Sequence, residues 1–126
     1  MTFKILLSGL TALCLTACGS EPATIAGHEY MYTPVSDMEI TLGFDAHENR
    51  YYGRAVNSYF GNYKTDGATM TFSPAGTTMM MGPRSHMEAE RVYLNDLENV
   101  RQYRADTHTL TLILADGREI TLTRRD

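Results

Sequence analysis

Thr77-Thr78-Met79-Met80-Met81-Gly82-Pro83, running into Arg84-Ser85-His86-Met87-Glu88-Ala89-Glu90-Arg91-Val92-Tyr93-Leu94-Asn95-Asp96-Leu97, is the one stretch where the apolar pattern changes from period two to period 3.6. Gly82-Pro83 breaks the extended segment before it. Ser85 stands three residues ahead of Glu88, the spacing of a capping box, so a helix is predicted to start there. Ala89, Tyr93, Leu97 and Val100 share one helical face with Leu94 beside them, and Glu88, Arg91, Asn95 and Glu98 fall mostly on the other. The expectation is one amphipathic helix, about residues 85–100, packed on a sheet.

Outward from that helix the chain reads as short strands. His28 to Tyr32 alternates as a first edge strand ended by Pro34. Met38, Ile40, Leu42 and Phe44 share a face, and Asp45 to Asn49 turns the chain into a strand from Arg50 to Ala55. Tyr59 to Lys64 follows, then a turn at Thr65-Asp66-Gly67 into Thr69 to Phe72. Thr77 to Met81 is extended. Beyond the helix, Arg101 to Ala105, the Leu110, Leu112 and Leu114 face, and Ile120 with Leu122 make three more strands, with Asp116-Gly117 a two-residue hairpin turn. Hairpin links imply antiparallel pairing. The predicted class is α+β: a curved antiparallel sheet or partly closed barrel of seven to eight short strands covered by one helix.

The start of the chain has a different logic. Lys4, the apolar run Ile5 to Leu15, and Leu15-Thr16-Ala17-Cys18 read in order as the parts of a lipoprotein signal. The apolar run is shorter than the ~20 residues that span a bilayer. Residues 1–17 are therefore expected to be a cleaved signal, Cys18 the lipidation site, 18–27 an acylated tether, and 28–126 one domain. Cleavage removes Cys14 and leaves only the acylated cysteine, so no disulfide forms within the mature chain. The chain carries 11 basic and 15 acidic side chains, and loss of Lys4 moves its balance from −4 to −5. That balance disfavours nucleic acid and anionic lipid as partners. Membrane attachment is then expected through acyl chains, more than one of which is needed for stable anchoring.

Gly53-Arg54-Ala55-Val56-Asn57, followed by Tyr59, Gly61 and Tyr63, resembles the Gly-x-Gly-Cys-Asn and aromatic-Gly-aromatic segments of the META domain family, also called HslJ-like. Thr78-Met79-Met80-Met81-Gly82 resembles that family's Thr-Arg-Met-Ala-Cys-like segment. Met87, Glu88, Glu90, Tyr93, Leu94 and Leu97 resemble its helix, and Val100, Tyr103, Leu110, Leu112 and Asp116-Gly117 its closing strands. The resemblance spans roughly Ile25 to Thr123. It departs at Val56 and Gly82, where the family carries cysteines that can join in a disulfide; loss of both is consistent with two positions close in space. Ala55 replaces a glycine, and Tyr30 or Tyr32 stands for an early tryptophan. The resemblance implies an envelope lipoprotein or secreted domain, associated with stress tolerance and with no established shared enzymatic activity. This is an argument from fold.

Met79 and Met81, with His86, make a soft-ligand set for periplasmic copper(I). The reading preferred for the methionines is core packing under the helix. His28, His47, His86 and His108 lie far apart and are expected at the surface. Glu88 and Glu90 diverge by ~200° on a helix, too far for an acid/base pair, and are expected to complement the helix dipole in its first turn. Pairing of Glu90 with Arg50 or Arg54 of the sheet is the alternative expectation. Asn57, Gly61 and Thr78 occupy motif positions, Asn57 as a turn or bulge residue with binding the lesser alternative. Tyr51, Tyr52, Tyr59, Phe60 and Tyr63 form an aromatic ribbon, read as cross-strand pairing ahead of a binding patch. No Gly-x-Ser-x-Gly elbow occurs. The resulting expectation is a non-enzymatic, cofactor-free envelope lipoprotein that faces the periplasm, binds an envelope protein and has a stress-tolerance role. Gly19 after Cys18 favours the outer membrane, and copper(I) binding is the alternative.

Overall fold

The computed structural model describes residues 23–126. The expected signal over 1–17, Cys18 and the first part of the expected tether lie outside the described residues. The elements are β1 (Glu29–Val35), β2 (Met38–Phe44), β3 (Arg50–Arg54), β4 (Ser58–Asp66), β5 (Thr69–Phe72), β6 (Gly76–Thr77), α1 (Arg84–Glu98), β7 (Val100–Ala105), β8 (Thr109–Leu114) and β9 (Glu119–Arg124). All pairings are antiparallel. The order β1-β2-β3-β4-β5-β7-β8-β9 returns to β1 through Tyr30↔Arg124 and Met31↔Thr123, closing an eight-stranded barrel. β6 prolongs β5 along β4. The α+β class and the single helix among the described residues are as expected from the pattern, and the barrel is fully closed.

Closure is uneven. β1 and β2 pair over most of their length, whereas β5 meets β7 in register only at Thr69↔Gln102. Strand alternation sends one face inward, and eight strands leave an interior just wide enough for side chains to fill. Phe44 is fully buried inside it, with ring centroids 5.0 Å from Tyr63 and 6.1 Å from Tyr30. The aromatic contacts continue from Phe72 to Tyr51, Tyr59, Tyr93 and Tyr32. The outer wall carries charged Glu39, Arg54, Lys64, Arg104 and Glu119, all exposed. This is the reverse of a lipid-facing barrel, whose outer band is apolar.

α1 closes one end. Three hairpin turns reach that end, and each touches the helix: Asp37 between β1 and β2 meets His86, Asn57 between β3 and β4 meets Glu90, and Arg118 between β8 and β9 meets Asp96. Tyr93 and Leu97 point into the barrel and are buried. The opposite end is closed by the chain before β1. There Ala23 donates to the Ala105 carbonyl, Gly27 to that of Phe44, and Ile25 is buried. The tether expected over 18–27 is thus corrected, because residues 23–27 belong to the fold.

Four local expectations are also corrected. The helix begins at Arg84 with Pro83 as N-cap and has no side-chain cap. Ser85 is therefore already inside the first turn, and no capping box forms. Glu88 bonds Arg91 instead, and neither Glu88 nor Glu90 lies in the first turn. The helix stops at Glu98, where the Asn99 amide donates to the Asp96 carbonyl, so Val100 opens β7. β1 is an interior strand and runs through Pro34. The missing N–H is tolerated because β9 pairs only with Tyr30 and Met31, and the β2 register slips between Tyr32 and Val35.

The buried tyrosines predict an alkaline limit. Burial raises Tyr51 to about 12 and Tyr59 and Tyr93 further above their usual value of 10.0. The folded state therefore holds these protons more tightly than the unfolded chain. Their contribution is complete below about pH 10, where unfolded tyrosines begin to ionise, and is lost as pH rises through the folded values. Urea midpoints are expected to be level in this respect up to about pH 9 and to fall steeply between about 10 and 12, with tyrosinate absorbance rising together with unfolding. Tyrosinate appearing fully while the fold persists would contradict this.

Candidate functional site

Asn57 is the polar centre of the helix-bearing end. It is buried, at 6% exposure, in the turn between β3 and β4. Its backbone N–H donates to Glu90 Oε2 at 2.6 Å, and its Nδ2 donates to Glu90 Oε1 at 3.0 Å and to the Met80 carbonyl at 3.4 Å. Its Oδ1 accepts from the Thr78 hydroxyl at 3.1 Å and from the Met80 N–H. One amide thereby ties the sheet turn, the helix and the segment after β6. Both its polar atoms are satisfied, as a buried amide requires. Thr78 also accepts, through Oγ1, the Ser58 N–H. Glu90 bonds Asn57, not Arg50 or Arg54.

This clamp explains the methionines. It pins the Met80 backbone on the barrel rim, outside the sheet, before the chain crosses to α1. Met79 and Met81 consequently stand 95% and 83% exposed and Met80 51%, whereas Met38 and Met70 are buried. Core packing is corrected for Met79–Met81 and holds for Met70. His86 is half-buried, with Nε2 3.0 Å from Asp37 Oδ1. His28 is likewise half-buried and paired with Asp126, while His47 and His108 are exposed. The structure therefore gives His86 to Asp37 and turns Met79 and Met81 to solvent. Among the described residues, no group of three or more His, Cys, Asp or Glu is placed to hold a metal ion.

The aromatic ribbon divides by face. Tyr51, Tyr59 and Tyr63 are inside. Tyr59 donates to the Thr41 carbonyl and so accepts from the Tyr93 hydroxyl at 2.7 Å. Tyr51 donates to the Ser73 carbonyl at 2.7 Å. Gly61 makes room for the Tyr51 ring, since a Cβ there would lie 2.7 Å from it. Tyr52 and Phe60 are cross-strand partners outside, 41% and 59% exposed. Their rings lean apart, over Gly43 and Gly76, and they flank a cleft of about 640 Å³ that Asp45, Arg50 and Asn62 also line.

Sequence reading did not single out Asp96. It is buried and receives Arg118 Nη2 at 3.0 Å. Its signal was its place three residues after Tyr93, on the inward face. Gly82 and Val56 are neighbours, and a Cβ on Gly82 would lie 3.8 Å from that of Val56.

The META domain family model matches residues 16–126. No curated protein matches the sequence. The fold is similar to an NMR structure of a protein from Burkholderia xenovorans, with TM-score 0.70, 20% identity, and 80% of this chain and 83% of that one covered. A second NMR structure is similar at TM-score 0.63 and 19% identity, covering 79% and 90%. A DUF4847 family protein from Bacteroides vulgatus is similar at TM-score 0.53 and 18% identity, covering 69% and 59%. At these identities the likeness concerns the fold alone.

Proposed function

The chain belongs to the META domain family, and from that premise we propose that it is an envelope lipoprotein, acylated at Cys18, which presents the helix-bearing end of its barrel to a protein partner in the periplasm without catalysing a reaction. The observation that carries this reading is the polarity of the domain. The chain enters at the end opposite α1, through Ala23, Ile25 and Gly27. Cys18 precedes Ala23 by five positions, a reach of about 17 Å at full extension. A lipid there holds the α1 end away from the bilayer. That end carries exposed Met79, Met81 and Val92.

The non-catalytic part of the proposal is supported by how the polar groups at that end are used. Asn57 and Glu90 hold one another, His86 holds Asp37, and Asp96 holds Arg118. Each such pair joins the helix to a hairpin turn and serves to position backbone. The residue after the acylated cysteine, Gly19, favours the inner leaflet of the outer membrane as the site of anchoring, and a stress-tolerance role follows from the family resemblance.

The test combines palmitate labelling with a photoreactive side chain placed either at Val92, on the distal helix, or at Lys64, near the proximal turns. Label should depend on Cys18, being lost in Cys18→Ser, and Val92 but not Lys64 should cross-link to one envelope protein. Label that survives Cys18→Ser would remove the anchor, and equal cross-linking from both positions or none from Val92 would remove the distal interface.

A further inference from the structure

The three consecutive methionines are absorbed by neither the core nor the proposed anchor. We propose that Met79 and Met81 are a sacrificial thioether site for peroxide-class oxidants. Two observations converge on it. The two side chains are 95% and 83% exposed, while Met38 and Met70 are 6% and 1% exposed. Thioether oxidation follows access, so the exposed pair should react first. The residue between them is held at both polar atoms of its backbone by Asn57, through the Met80 N–H and the Met80 carbonyl. The clamp engages Met80 backbone and leaves both flanking sulfurs outside. Oxidation at Met79 or Met81 therefore breaks no described hydrogen bond and opens no cavity. At Met70, inside the barrel, the same change would set a polar sulfoxide among buried side chains.

The step balances with one oxidant molecule per sulfur. A sulfur lone pair attacks one oxygen of hydrogen peroxide, an S–O bond forms and the O–O bond breaks. The departing hydroxide takes the proton left on the transferred oxygen and becomes water. Sulfur loses two electrons and the peroxide gains them. The sulfoxide returns to thioether through methionine sulfoxide reductases, one for each sulfoxide epimer, with a dithiol reductant giving two electrons and two protons as it becomes a disulfide and the oxygen leaving as water, so the site can turn over while the fold stays intact.

The test treats the full chain in detergent with graded hydrogen peroxide. Oxygen uptake is followed methionine by methionine by peptide mass spectrometry, and thermal unfolding is measured on the same samples. Met79 and Met81 should be oxidised on the order of tenfold faster than Met38 and Met70. The unfolding midpoint should not move when both are fully converted, and reductase treatment should restore them. The Met79→Leu/Met81→Leu variant should keep its midpoint and lose the fast uptake. The proposal is overturned if Met38 or Met70 reacts as fast as the exposed pair. It is also overturned if the midpoint falls once Met79 and Met81 are oxidised, or if uptake in the double variant, where half-exposed Met80 remains, is as fast as in the parent chain.

Discussion

Gly53→Ala is expected to cost the domain roughly 4 kcal/mol, combining overpacking with a displaced buried hydroxyl. Gly53 lies between two strands, opposite Leu42 of β2 and Tyr59 of β4. A Cβ there would overlap the Thr41 carbonyl oxygen, which is backbone and cannot rotate away, and would lie 2.5 Å from Tyr59 Oη. The Tyr59 hydroxyl donates to that same carbonyl and accepts from Tyr93. The missing side chain is thus the gap through which β4 and α1 reach β2. Alanine would part β2 from β3 and leave a buried hydroxyl seeking a partner. Against a total of about 5–15 kcal/mol for a domain, such a loss is large. Urea denaturation of the variant measures it. A loss under about 1 kcal/mol would mean that the strands shift freely and that the gap is not needed.

A stabilising change of similar size is expected from Val56→Cys/Gly82→Cys. A Cβ on Gly82 would stand 3.8 Å from the Val56 Cβ, near the mean separation in disulfides. The bond would close a loop of roughly 26 residues and stabilise by about 3.5 kcal/mol through the unfolded chain. The comparison should be between oxidised and reduced forms of the same variant, with Cys14 and Cys18 changed to serine so that the pair has no competitor. Failure to form the bond in air, or equal stability of the two forms, would contradict the geometry. These are the positions at which the resembling family carries its cysteines. Here the sheet turn and the segment before α1 are instead joined by Asn57, whose amide spans the same gap without a covalent bond.

Period-two alternation in Met38 to Phe44, Leu110 to Leu114 and Ile120 to Leu122 determined by itself which side chains face inward, because a strand has only two faces. The switch to period 3.6 located α1 and its inward Tyr93 and Leu97. The order and spacing of the Gly53–Asn57, Tyr59–Tyr63 and Thr78–Gly82 segments, the helix and the closing strands together indicated the family. Tertiary structure decided the rest. It set the return of β9 to β1 that closes the barrel, and the use of glycines as seats for rings from neighbouring strands. It set the partners of Asn57, His86 and Asp96, which lie 33, 49 and 22 positions away. It also turned Met79 and Met81 outward, although methionines beside a helix ordinarily fill a core. The physical reason is one of range. Hydrophobic periodicity is written along the chain and reports a residue's face. Hydrogen bonds between distant polar groups leave no period, and they settle which elements meet and where the backbone is pinned.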